Sequence, residues 1–104
     1  MGARERGPLT EAMFYTLMVL ARRDVCGTEI AQAVAERTAG RVKLGPGTLY
    51  TILARFLEEK YIRELETDLA GRKRTYQLTE TGRVAYQAEL RRLRQCVLDA
   101  EEDL

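Results

Sequence analysis

A chain of 104 residues, 45% of them hydrophobic, has the length of one domain with one small core, and is too short for the two-domain clefts in which many enzymes work. Seventeen Lys and Arg stand against sixteen Asp and Glu, a net charge of +1, so only the distribution of charge along the chain bears on a partner. There is no histidine, and the two cysteines, Cys26 and Cys96, form no CxxC. No usual zinc site or catalytic histidine constellation can be built, and a protein that is not an enzyme and carries no metal or cofactor is expected.

The cysteines suit two reduced, unpaired thiols. The apolar run from Ala12 to Ala21 is followed by Arg22 and Arg23. It is too short to span a bilayer, and the arginines stand where a signal peptide would carry small residues. The expectation is a core helix in a cytoplasmic protein with no membrane partner.

Residues 1–8 read as a flexible N-terminus. Thr10 is placed to cap a first helix, in which Met13, Phe14, Leu17, Met18, Leu20 and Ala21 recur at helical spacing. Gly27-Thr28 breaks the pattern. Thr28 is the expected cap of a shorter second helix, with a narrow stripe of Ile30, Ala31, Val34 and Ala35, ending near Gly40.

The stretch "GPGTLYTILARFLEEKYI" opens a third helix at Pro46, whose fixed φ and missing N–H suit the first helical position. Leu49, Ile52, Leu53, Phe56 and Leu57 make its core face. Gly47, Thr48, Thr51, Arg55 and Glu58 lie opposite, with Tyr50 on the border.

After Lys60, "YIRELETD" and "RTYQLT" flank "LAGRK", which predicts a two-stranded hairpin with Arg72, Lys73 and Arg74 at its tip. Thr79 then caps a last helix running from Glu80 to about Asp103. In it Tyr86, Leu90, Leu93, Val97, Ala100 and Leu104 are spaced 4, 3, 4, 3, 4. That 3.5-residue period is a coiled-coil seam, and a domain whose core three helices already fill leaves it in need of a partner.

The fold expected is therefore mainly α with a small β-hairpin wing: a winged helix-turn-helix over residues 9–79 and a long dimerisation helix over 80–104. Residues 41–74 hold eight Lys or Arg against five Asp or Glu, whereas 99–104 hold four acids and no base. The basic part is thus the third helix and the hairpin.

A helix whose first turn is kept small by Gly45 and Gly47 brings N–H groups and threonine hydroxyls against phosphates and base edges. The expected DNA contacts are Lys43, Gly47, Thr48, Tyr50, Thr51 and Arg55 from this region, joined by Arg72, Lys73 and Arg74 as phosphate-neutralising groups. Each piece has a plainer reading: a turn, a solvated helix face, or, for Tyr50 and Tyr76, part-buried packing. A winged helix also serves protein contacts. The near-neutral charge and Glu58-Glu59 keep open an adaptor that holds another protein and has no specific DNA target.

The dimer seam is expected to use Tyr86, Leu90, Leu93, Val97 and Ala100. Where it meets the first helix, Phe14, Met18, Tyr86, Leu90 and Leu93 are the candidate lining of an effector site, against the alternative that they simply pack the dimer.

The run "GPGTLYTILARFLEEKYI" together with "GRKRTYQLTETGR" resembles the PadR family of bacterial winged-helix transcriptional regulators, "GTLY" and "YQLTETGR" being its most specific parts. The single final helix is similar to the short members of that family. The resemblance implies a homodimer on double-stranded DNA at a pseudo-palindromic operator, repressing until a small-molecule effector binds. It places the recognition helix at Pro46–Glu59, the wing at Arg63–Thr79 and the dimer helix from Glu80 onward. Two positions depart from the family pattern: Cys26-Gly27-Thr28 replaces a glycine flanked by aromatics, and Lys60 stands where glycine is usual. With no Trp in the chain, the planar aromatic ligands of some relatives are not carried over.

Overall fold

The computed structural model describes residues 8–65 and 74–104. The expected flexible N-terminus, apart from Pro8, and the wing-tip residues Arg72 and Lys73 lie outside them.

The hydroxyl of Thr10 accepts the Met13 N–H at 3.1 Å and starts α1 (Glu11–Arg22). Leu17 and Leu20 of α1 reach the core, and between them and the N-terminus the fully buried Thr16 donates to the Ala12 carbonyl at 2.8 Å. Its hydroxyl is thereby satisfied without water.

A two-residue strand, β1 (Val25–Cys26), follows and leads straight into α2 (Gly27–Arg37). The cap of α2 is Cys26 and not Thr28. Strand pairing holds Cys26 extended, at φ −89° and ψ 167°, so the helix begins one residue later, and the Cys26 N–H donates to the Glu29 carboxylate at 3.3 Å. α2 ends at Arg37, before Gly40. There Ala39 takes a left-handed φ of 53°, and the Ala39 and Gly40 N–H groups close onto Glu36 and Ala35.

Pro46 is the first residue of α3 (Pro46–Glu58), whose Leu49, Ile52, Leu53 and Phe56 are buried. Leu57, expected on the same face, lies at its edge and is 36% exposed. Beyond α3 the Tyr61 N–H returns to the Phe56 carbonyl at 2.8 Å and the Lys60 N–H to Leu57 at 3.1 Å, a closure that puts Lys60 at φ 65°.

The chain then enters β2 (Ile62–Leu65), which pairs antiparallel with β3 (Thr75–Leu78), Ile62 opposite Leu78 and Leu65 opposite Thr75. The sheet has three strands and not the two expected. β1 joins the other edge of β3, with Val25 opposite Tyr76, in the order β1-β3-β2. Val25, Ile62, Tyr76 and Leu78 bury their side chains in the core made by the first three helices.

Thr79 caps α4 (Glu80–Glu102) through the Gly82 N–H at 3.0 Å. Only Gly82 and Glu89 of α4 are buried, so the helix rests on its own chain over its first turns alone. Residues 90–102 run about 20 Å beyond that support at 1.5 Å per residue. No helix among the described residues is long and apolar enough to cross a membrane.

Candidate nucleic-acid interface

Pro46 starts α3 at the surface, and the first turn is bare: Gly45, Pro46, Gly47 and Thr48 are all exposed. Neither glycine is required by the chain itself. A Cβ built at Gly45 or Gly47 meets nothing within 4 Å, and neither has a positive φ. The space they leave faces outward, where an external backbone could approach the helix N-terminus and its unpaired N–H groups.

Thr48, Tyr50, Thr51 and Glu58 continue this exposed face, Tyr50 at 69% exposure. Tyr50 is therefore not the packing residue that its border position suggested, whereas Tyr76 is. Tyr76 is buried, and burial raises its phenol pKa above the usual value. The Thr51 hydroxyl donates to the Gly47 carbonyl at 3.0 Å. Its remaining lone pair makes it an acceptor toward a ligand.

The basic residues divide into committed and available groups. Arg55 is turned toward α1, with its side chain 15% exposed, Nε on the Glu59 carboxylate at 3.3 Å and one guanidinium nitrogen 3.2 Å from the Met13 sulfur. Reaching a groove would require giving up both contacts. Arg41 is held by Glu11 and the Tyr15 hydroxyl, and Arg63 by Gln77 at 2.6 Å, which in turn reaches Asp24. Lys43, in the loop before α3, and Arg74, just before β3, are exposed; Arg74 pairs with Glu64 at 3.4 Å.

Among the expected effector-lining residues, Phe14 and Tyr86 come together, their ring centroids 5.2 Å apart. Leu90 is 37% exposed and Leu93 half-buried on the next turns of α4. Met18 borders a separate open groove between α1 and α2, beside Arg22, Arg23 and Arg37. Further along α4, Val97, Leu98 and Leu104 are exposed at 55%, 49% and 103%, and Ala100 is exposed with them.

A cavity of about 300 Å³ lies between α2, the N-terminal half of α3 and β3, with Tyr50 and Arg74 among its lining residues. It depends on β1 pairing with β3, Val25 opposite Tyr76 and Cys26 opposite Thr75, a pairing no local pattern announces. Among the described residues no group of three His, Cys, Asp or Glu is placed to hold a metal.

Comparison with known proteins places this geometry among regulators. The profile of the transcriptional regulator PadR-like family matches residues 16–88. No curated protein matches the chain in sequence. Among solved structures the chain is similar to a transcriptional regulator from Clostridium thermocellum, with a TM-score of 0.79 and 21% identity over 86% of this chain and 89% of that one. It is also similar to a PadR family transcription regulator from Clostridium difficile, with a TM-score of 0.78 and 24% identity over 89% and 97% of the two chains. Pex from Synechococcus sp. has the same fold at a TM-score of 0.61 and 28% identity, over 86% and 89%.

Proposed function

The chain belongs to the PadR-like family of transcriptional regulators, and from that premise we propose that it is a homodimeric, sequence-specific repressor that binds a pseudo-palindromic site in double-stranded DNA. The observation that carries this reading is the bare first turn of α3. Glycines stand at 45 and 47 with nothing among the described residues to crowd a side chain there, beside the exposed Thr48, Tyr50 and Thr51. A helix N-terminus without side chains is what a phosphate or a base edge needs in order to approach closely.

In this reading Thr48, Tyr50 and Thr51 read base edges while Lys43, Arg74 and the remaining wing-tip bases, Arg72 and Lys73, neutralise phosphates. Arg55 serves the fold rather than the groove, since Glu59 and Met13 already engage it. The exposed stripe of Leu90, Val97 and Ala100 on α4 is covered by a second copy, which sets two recognition helices at a fixed spacing. An effector that enters at the dimer interface between α1 and α4, around Phe14, Met18, Tyr86, Leu90 and Leu93, would alter that spacing.

The reading is tested by selecting bound duplexes from a fragmented library of the source genome at two salt concentrations. Recovery of one pseudo-palindromic sequence, with affinity falling steeply as salt rises, is the expected result. Recovery of nothing above background would overturn it in favour of the adaptor, whose partner should survive replacement of Arg72, Lys73 and Arg74 by Ala.

A further inference from the structure

Among the described residues α3 is tied to α4 by two routes. One is direct: where the chain leaves α3, the Tyr61 carbonyl accepts the N–H of Thr79, the cap of α4, at 2.9 Å. The other runs through α1. Arg55, in the last turn of α3, holds a guanidinium nitrogen 3.2 Å from the Met13 sulfur, and the next residue of α1, Phe14, packs on Tyr86 of α4 with ring centroids 5.2 Å apart. A single tie leaves a helix free to swing about it, whereas a second tie at another point on the helix fixes its direction.

Arg55 is equipped for the second tie. Its Nε sits on the Glu59 carboxylate at 3.3 Å while the end of the same planar group reaches Met13. A lysine ammonium is a point charge and keeps the carboxylate, but it has no fork to serve both partners. A thioether is a weak acceptor, so the contact acts through burial. With the Arg55 side chain only 15% exposed, swinging α3 away from α1 strips the guanidinium of a partner where little water can replace it.

We propose that Arg55 is a positioning residue, which fixes the direction of α3 relative to α4 through Met13, and that in the dimer it thereby sets the half-site spacing of the operator. The second half rests on the reading of the chain as a dimeric DNA-binding regulator; the first does not. Each base pair inserted between two half-sites moves them apart by about 3.4 Å and turns them by about 34°. Two rigidly held α3 helices therefore accept one spacing, and two loosely held ones accept its neighbours. Arg55 governs the choice without touching a base.

Two variants cut the tie from opposite ends. Arg55→Lys keeps the charge, and Met13→Leu keeps the volume while leaving the outward face of α3 as it is. The first measurement needs no DNA. Spin labels are placed on Thr48→Cys and on the native, exposed Cys96, with the buried Cys26 replaced by Ala. Labelled chain is diluted into unlabelled chain, so that only distances within one protomer are read. The parent should give one narrow distance distribution and each variant a displaced or broadened one. The double variant should go no further than either alone, because both changes remove the same contact. The second measurement uses duplexes that carry the selected half-sites at the selected spacing and at one base pair more or fewer. The parent should prefer the selected spacing by about tenfold or more, and each variant by about threefold or less. The base preference inside each half-site should not change.

Distance distributions that match the parent in both variants would overturn the positioning role. Altered distributions with an unchanged spacing preference would overturn the link to the operator. A changed base preference in Arg55→Lys, with Met13→Leu behaving as the parent, would make Arg55 a direct DNA contact instead. If the distributions change as expected and no duplex is ever selected, the DNA-binding reading fails while the positioning role stands.

Discussion

Gly82, in the first turn of α4, lies so close to the Tyr61 carbonyl that a Cβ at position 82 would sit 2.1 Å from the oxygen and 2.9 Å from the carbon. The contact joins the long helix to the turn that ends α3. Thr79 reinforces it: its N–H donates to Tyr61 O at 2.9 Å, and its hydroxyl oxygen is 2.6 Å from the Lys60 carbonyl oxygen while accepting the Gly82 N–H. The "LTETG" stretch is thus a joint between α3 and α4 as well as a helix start. Gly82→Ala should destabilise the fold by about 1–3 kcal/mol, the cost of overpacking against an immobile backbone. Chemical denaturation checks this, and an unchanged midpoint would show that the joint yields.

Lys60 tests the opposite case. Its φ of 65° is the left-handed region that costs a side-chain-bearing residue about 1–2 kcal/mol. Both its hydrogen-bonding roles, the N–H to Leu57 and the carbonyl toward Thr79, belong to the backbone and survive substitution. Glycine's extra freedom in the unfolded chain takes back about 0.5–1 kcal/mol. Lys60→Gly should therefore raise the midpoint of thermal unfolding slightly, by a net stabilisation of about 0.5 kcal/mol.

Gly47→Ala separates folding from DNA binding. A methyl group there meets nothing among the described residues, and alanine favours helix over glycine, so the melting temperature should hold or rise. In the proposed complex the same methyl group would stand where the duplex backbone approaches. Affinity for the selected duplex should fall about tenfold, a step of about 1.4 kcal/mol. Arg74→Ala should instead weaken binding to all sequences and reduce the salt slope by about one.

Val97→Glu probes the α4 seam. Val97 is 55% exposed in the single chain, so the substitution threatens no packing within it. Sedimentation should show monomers, and duplex affinity should drop by about 10² or more as the two linked half-sites become independent. A variant that still sediments as a dimer would move the interface to another surface.

Glu89 predicts a pH dependence. Its buried carboxylate accepts two hydrogen bonds from Arg92, at 3.0 and 2.6 Å, and these, with a smaller contribution from the Leu9 N–H, hold its pKa below the usual carboxylate value. A pKa depressed in the folded state means stability that is fully present above the unfolded-state value and lost as pH falls through the folded-state value. Glu89→Gln should therefore be less stable than the parent at neutral pH, by about 1 kcal/mol given that Arg92 is half exposed. The difference should vanish in acid, a trend that paired denaturation curves between pH 7 and pH 3 would reveal.

The helices were legible because each carries its own local signals. Thr10, Pro46 and Thr79 mark starts by chemistry confined to one turn, and Phe56 or Leu53 mark faces by spacing alone. β1 was not legible, since two residues have no period, and misplacing it moved the α2 cap from Cys26 to Thr28. Arg55 was read as outward because its position in the helix allows it; the Met13 sulfur and Glu59 that draw it inward are tertiary and side-chain facts.

By itself, then, the sequence determined which segments are helical, where α1, α3 and α4 begin, that a hairpin follows the third helix, and that the last helix carries apolar residues at 3.5-residue spacing. Those properties follow from backbone propensity, capping and periodicity, which act over a few residues. Tertiary structure alone decided that β1 completes the sheet, that Tyr50 is exposed while Tyr76 is buried, that Gly82 must be glycine, and that a cavity opens between α2, α3 and β3. Each of these depends on contacts between residues far apart in the chain, whose distances are set only when the whole core has closed.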